Sequence, residues 1–141
     1  MRTPDDLMAL FRANNLKVTP QRLAVFEALH GDDTHPTAEL VHARVREQMP
    51  TVSLRTVYQA LNDLVDLGEV RAVSVDNGAV RFDPNNSGHD HFVCRDCGRV
   101  SDVTSSRPRL VAATGGEVLD EGYTVDTSEI IFRGRCAACN A

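Results

Sequence analysis

Four cysteines, arranged as Cys94-Arg95-Asp96-Cys97 and Cys136-Ala137-Ala138-Cys139, constrain this chain more than any other feature. Each C-x2-C pair chelates through two thiolates, and two such pairs make a closed tetrahedral site for one ion. Gly98 follows the first pair directly, where a tight knuckle turn ends. The ion would clip the end of the chain to the segment after residue 88, and folding of that part should depend on it. With no open coordination position the ion is structural, and zinc is the metal this donor set selects. A redox dithiol and plain core thiols are the competing readings. The N-terminus, MRTPDDLMALFRANN, carries acids where a signal peptide needs a long apolar stretch. No apolar run approaches the roughly 18 residues of a membrane span. The chain therefore reads as cytoplasmic, where disulfides are rare, and zinc is preferred over cross-links.

The 141 residues suit one ordinary domain or two small ones, and 42% apolar content is too high for disorder. The two halves differ in pattern. Residues 1 to about 70 have helical spacing, whereas strand-like segments dominate 85–141. Leu7, Met8, Leu10 and Phe11 form an apolar stripe over Asp5 to Asn14. Thr19-Pro20 supplies a capping hydroxyl and a Pro at the first helical position, opening a helix that buries Leu23, Phe26 and Leu29 and ends near Gly31. Thr37 caps a third helix, with Leu40, Val41 and Val45 expected inward. Ser53 caps a fourth, carrying Leu54, Val57, Leu61, Leu64 and Val65, with Gly68 as its stop. Residues 70–75 and 79–82 flank Asp76-Asn77-Gly78, which predicts a hairpin with a type I′ turn. This is the order of a winged helix-turn-helix: helices three and four as the pair, residues 70–82 as the wing. A small helical domain with a hairpin that binds nothing has the same pattern.

On the fourth helix the apolar positions leave Arg55, Thr56, Gln59 and, to the side, Tyr58 on the outer face near the N-terminus. A recognition helix presents such residues to base edges: Arg to guanine, Gln to adenine, Thr to a base or a thymine methyl. A merely solvated face is the bland alternative. Charge does not favour DNA. Residues 1–84 hold nine Lys or Arg against twelve Asp or Glu, and the whole chain is −5. A DNA surface would have to be a local patch drawn from Arg12, Lys17, Arg22, Arg55 and Arg71, salt-sensitive and strengthened by dimerisation.

A second donor set is available. His89 and His91, two apart on a strand, point to one side. Asp83 closes the hairpin, Asp102 follows the first knuckle, and His35 sits in the loop before the third helix. Three imidazoles and two carboxylates suit Fe(II), Mn(II), Ni(II) or Zn(II) rather than Cu(I). Spacing alone does not join His35 to His89. His30 and His42 read as surface residues. A small metallohydrolase would use the same donors, but no general base stands out beside them.

These residues resemble the ferric uptake regulator family of bacterial metalloregulators over essentially the whole chain. The resemblance is carried by Thr19-Pro20-Gln21-Arg22, His35-Pro36-Thr37-Ala38, Ser53-Leu54-Arg55-Thr56-Val57-Tyr58, His89-Asp90-His91 and both C-x2-C pairs. It implies an α+β fold: a winged helix-turn-helix domain over 1–83, a hinge linker over 84–88, and a small α/β dimerisation domain over 89–141 with the Cys94, Cys97, Cys136 and Cys139 zinc site. It further implies a homodimer that represses transcription at double-stranded DNA operators when Fe(II) or Mn(II) occupies a hinge site of His35, Asp83, His89, His91 and Asp102. The DNA contacts would come from Arg55, Thr56, Tyr58, Gln59, Lys17, Arg22 and Arg71. No membrane, and no small-molecule substrate beyond metal ion and hydrogen peroxide, is implied.

The position matching Asp102 is often Glu in the family's iron sensors and Asp in its peroxide-responsive repressors. Asp at both 83 and 102 resembles the peroxide-responsive branch. There the iron-loaded site oxidises a ligand histidine, here His35 or His89, and metal and repression are lost. Mn(II) fills such a site without that chemistry. An iron- or manganese-responsive repressor without peroxide sensing is the alternative. Two departures stand out. Gly88 and Ser128 replace histidines that many members use for a third metal site, which implies its absence here. Gly115-Gly116 interrupts the family's C-terminal-domain helix, so Pro108 to Leu119 is expected to be a short or broken helix.

Overall fold

Four side-chain hydroxyls start the four helices of this protein. In the computed structural model, which describes residues 1–75, 79–104, 117–118, 124–125 and 130–140, the helices are α1 (Pro4–Ala13), α2 (Pro20–Leu29), α3 (Ala38–Gln48) and α4 (Leu54–Asp66). Thr3, Thr19, Thr37 and Ser53 each accept a hydrogen bond from a backbone N–H three residues on. That bond satisfies a donor the helix itself leaves unpaired. Pro4 and Pro20 occupy first helical positions, where a missing N–H costs nothing. Gly68 ends α4 with φ +70°, a left-handed conformation that glycine adopts without strain.

The described chain divides into two compact units, Met1–Ser87 and Gly88–Ala141. In the first unit Leu7, Phe11, Val25, Phe26, Leu29, Val41, Val45, Val57, Leu61 and Leu64 are buried in one cluster. Phe11 and Phe26 meet edge to face at 4.8 Å between centroids. Leu23, Leu54 and Val65 are half-buried at its margin. Leu40, expected inward, is 49% exposed instead. Ala38, Val41 and Val45 already define the buried stripe of α3, and one helical residue turns the chain by about 100°, so Leu40 falls off it. The helices are followed by a hairpin of β1 (Arg71–Ser74) and β2 (Val80–Asp83), pairing Arg71 with Asp83 and Ser74 with Val80. The expected turn at residues 76–78 lies outside the described residues.

In the second unit, β3 (Asp90–Cys94) is the centre of a three-stranded sheet. β4 (Val100–Val103) runs antiparallel on one side and β7 (Ile131–Gly134) parallel on the other. A separate antiparallel pair joins β5 (Glu117–Val118) to β6 (Thr124–Val125). Glu117 and Val118 thus belong to a strand and not to the helix expected over 108–119. The rest of that segment, including Gly115-Gly116, lies outside the described residues, as does Ser128. No described helix is long and apolar enough to cross a membrane.

Candidate metal centres

The sheet of the second unit delivers both cysteine pairs to one place. β3 ends at Cys94, and its parallel partner β7 ends two residues before Cys136. Arg95 N–H donates to the Gly134 carbonyl at 2.8 Å, locking the two strand ends together. The first knuckle closes through Gly98 N–H to the Cys94 carbonyl, 2.9 Å, with Gly98 at φ +69°. The second closes through Cys139 and Asn140 N–H groups on the Cys136 carbonyl, at 3.0 and 2.9 Å. All four sulfurs lie within 4.8 Å of one another, and Cys97 and Cys136 Sγ atoms are 3.8 Å apart. Four sulfurs about 2.3 Å from one tetrahedral zinc would sit about 3.8 Å from each other, so the thiols fit the ion.

Their electrostatics ask for a cation. Cys136 N–H donates to Cys94 Sγ at 3.3 Å. That bond, with the Cys97 N–H, pulls the Cys94 thiol down to about 6. Cys139, crowded by the Cys136, Cys97 and Cys94 sulfurs, is pushed up to about 12. Four thiolates repel one another unless a positive charge sits among them. A bound ion reverses the effect and deprotonates the set.

The histidines and aspartates form two smaller sets, one in each unit. In the second unit His89 precedes β3 and His91 lies on it, with their Nε2 atoms 3.1 Å apart. Asp102 on β4 is the register partner of His91. Its carboxylate is 3.4 Å from His89 Nε2 and 3.9 Å from His91 Nε2. Donors about 2.1 Å from one ion lie about 3.0–3.4 Å apart, so these three can face a common metal. His91 is fully buried and His89 nearly so, whereas the Asp102 side chain is 33% exposed.

In the first unit His35 Nε2 faces the Asp83 carboxylate at 3.8 Å, both groups buried. His35 Nδ1 lies 3.1 Å from the Asp33 carbonyl. A carbonyl cannot donate, so Nδ1 is the donor in this contact, which in a neutral ring leaves the Nε2 lone pair for a metal. Such an outer hydrogen bond is the usual device for orienting a ligating histidine. His35 has φ +52°, a conformation that costs a non-glycine residue about 1 kcal/mol. On one flank Arg81 Nη1 donates to the His35 carbonyl at 3.1 Å, and Phe82 N–H to the Pro36 carbonyl at 2.9 Å. On the other, Asp32 accepts from Thr34 and from Arg44. Burial alone would raise the Asp32 carboxyl, but the bonds from Thr34 and Arg44 outweigh it and hold it below its ordinary value. Arg44, Asp32 and Arg81 were not legible as site residues, because their partners depend on how loop, helix and strand pack.

The candidate DNA contacts are distributed unevenly. Arg55, Gln59 and Lys17 are exposed, and Thr56 and Arg71 are half-buried. The Tyr58 hydroxyl donates to Glu39 on α3 at 2.9 Å, and that carboxylate raises the phenol above its ordinary value. Arg22 differs: its guanidinium pairs with Asp63, donates to the Lys17 carbonyl at 2.7 Å and stacks on Phe11. Its charge therefore ties α2 to α4 within the fold. His30 is exposed, while His42 Nε2–H donates to the Val52 carbonyl at 2.9 Å and joins α3 to the loop before α4.

Residues 13–132 match the ferric uptake regulator family. "Ferric uptake regulation protein 2" of Mycolicibacterium fortuitum is 33% identical over 146 aligned residues, covering 99% of this chain and 97% of that protein. The "Peroxide-responsive repressor PerR" of Staphylococcus saprophyticus is 30% identical, covering 96% and 90%. Among solved structures, the Helicobacter pylori ferric uptake regulator Fur, described as having three functional metal binding sites, superposes with a TM-score of 0.77 at 22% identity, covering 97% of this chain and 91% of its own.

Proposed function

This chain belongs to the ferric uptake regulator family, and from that premise we propose that it is a homodimeric, metal-dependent repressor of transcription that senses peroxide. Members of the family are metal-responsive transcriptional regulators and not enzymes. The observation that carries the proposal is a pair of incomplete donor sets, one in each unit. His35 and Asp83 offer two donors, and His89, His91 and Asp102 offer three. Neither set alone completes the shell of a divalent ion, and residues 84–88 join them in the sequence.

One Fe(II) or Mn(II) bound by all five residues would hold the two units in a single orientation, in proportion to its preference for that state. The four-thiolate site, filled by zinc, would keep the second unit folded whichever state the hinge is in. In the dimer that orientation would set the spacing of two α4 helices against half-sites on one DNA face. Here α3 and α4 act as the helix-turn-helix pair and β1–β2 as the wing. Arg55, Thr56, Tyr58 and Gln59 meet base edges, and Lys17 and Arg71 meet phosphates. The setting is the cytoplasm.

Peroxide sensing is supported by aspartate at both 83 and 102, as in the peroxide-responsive branch that the chain resembles. Bound Fe(II) would supply the redox chemistry. Net, one peroxide oxygen enters an imidazole C–H of His35 or His89, and the other leaves as water. An oxidised imidazole is a poorer ligand, so the five-donor set opens. The Mycolicibacterium relative, named for ferric uptake regulation, favours a second reading in which the site reports iron or manganese alone. Mass spectrometry of iron-loaded protein after peroxide separates the two. One added oxygen on a His35 or His89 peptide, absent in manganese-loaded protein, is the expected result. Unmodified histidines, with Met and Cys oxidation controlled, would leave the metal-responsive reading alone.

A further inference from the structure

His35 has a left-handed backbone, φ +52°, in a loop that is braced by residues outside the candidate metal donors. Arg44, on the outer face of α3, ion-pairs with Asp32. Its guanidinium also lies 3.5 Å from the Ala28 carbonyl and 3.4 Å from Thr34 Oγ1. Asp32 Oδ1 in turn accepts from Thr34 N–H at 2.8 Å and from Thr34 Oγ1 at 2.6 Å, and Asp32 N–H donates to the Leu29 carbonyl at 3.0 Å. One planar, multi-pronged cation thus joins the last turn of α2, the loop over 31–34 and α3. A lysine's point charge could not reach the same three acceptors together. Between Asp32 and Thr34 lies Asp33, whose carbonyl receives the His35 Nδ1 proton.

We propose that Arg44, acting through Asp32, is a positioning residue for the regulatory metal: it holds the Asp33 carbonyl against His35 Nδ1, so that Nε2 faces the ion, and it ties ligation of His35 to α3. The proposal rests on His35 being a ligand, as inferred above. Arg44 touches no metal donor. Its side chain is 41% exposed and that of Asp32 9%, so solvent screens only one end of the pair. Arg44→Met leaves a largely buried carboxylate behind, whereas Asp32→Asn does not, so a loss of metal affinity shared by both variants separates metal binding from folding. Coupling to α3 is direct, because α3 begins at Ala38, just beyond His35, and carries Arg44 itself.

The test uses the full-length, zinc-loaded protein and Mn(II) as the only probe, with free Mn(II) followed by electron paramagnetic resonance. Arg44→Met and Asp32→Asn should each weaken Mn(II) binding about 10–100-fold, the usual scale for a lost outer-shell partner. Arg44→Lys should restore part of the loss, and zinc should stay bound in all variants. Nitrogen-15 shifts of the imidazole in manganese-free protein add a signature that general loosening would not produce. The wild type holds His35 with its proton on Nδ1, and Arg44→Met releases it to a mixture of tautomers. Wild-type Mn(II) affinity in both Arg44→Met and Asp32→Asn, alongside a weak His35→Ala, overturns the clamp and leaves His35 as a ligand. Wild-type affinity in His35→Ala removes the ligand assignment and the clamp together. Weakened binding with the tautomer unchanged also overturns it.

Discussion

The cysteine cluster and the histidine–aspartate sets solve the same problem in opposite ways. All four thiols come from one unit, on two knuckles joined by adjacent parallel strands, with sulfurs within 4.8 Å of one another. The imidazoles and carboxylates are divided, with His35 and Asp83 in Met1–Ser87 and His89, His91 and Asp102 in Gly88–Ala141. A site whose donors share one folded unit can only stabilise that unit. A site whose donors are shared between two units can report on their orientation, because the ion's affinity differs between arrangements. The first arrangement suits a permanent clip; the second would suit a switch where one ion takes donors from both sets, as proposed above.

The largest effect that tests this contrast is on the clip. Cys136→Ser should release zinc and unfold the second unit, since structural zinc binding is worth on the order of 10 kcal/mol. The helical circular dichroism of the first unit should survive. Retained zinc, or loss of both units together, would break the comparison. Next in size, Phe26→Ala should cost the first unit about 3–5 kcal/mol, because it empties the centre of a core that no metal supports. Urea unfolding of the helical signal should shift while zinc content stays constant. The smallest effect bears on the switch. Inserting Gly-Ser-Gly-Ser between Ser87 and Gly88 lengthens the hinge and should weaken Mn(II) binding about two- to threefold through loop entropy. Zinc should not respond. An unchanged Mn(II) affinity would argue that the ion does not bridge the units.

The helical unit was legible because its signals are local. Thr19-Pro20, Thr37 and Ser53 each cap a helix through a bond three residues long. The hairpin follows from two β-rich runs on either side of Asp76-Asn77-Gly78. Leu40 departs from its expected place because adjacent Leu40 and Val41 stand about 100° apart on the helix, and Ala38, Val41 and Val45 take the buried stripe. The cysteine cluster was equally readable, since chelating pairs announce themselves by spacing. Long-range contacts were not. The parallel pairing of β3 with β7 joins residues about 40 apart, and nothing within either segment encodes its partner. Arg22 illustrates the same limit. Its charge makes it a candidate DNA contact, and nothing near it in the sequence shows that it also pairs with Asp63 on a helix two elements later. His35 and His89 are grouped by family resemblance and by chemistry, because a lone histidine in a loop carries no mark of its partners.

The central claim is that the regulatory ion, and not the zinc, decides DNA binding. His91 is the fully buried member of the second unit's candidate donor set, and it lies on the strand that also carries Cys94. Operator binding by His91→Ala, measured by fluorescence anisotropy with and without Mn(II) while zinc content is followed, tests the claim most directly. The account predicts full zinc occupancy and no Mn(II)-dependent gain in affinity. A variant that still binds the operator in a Mn(II)-dependent way, with zinc in place, would contradict it.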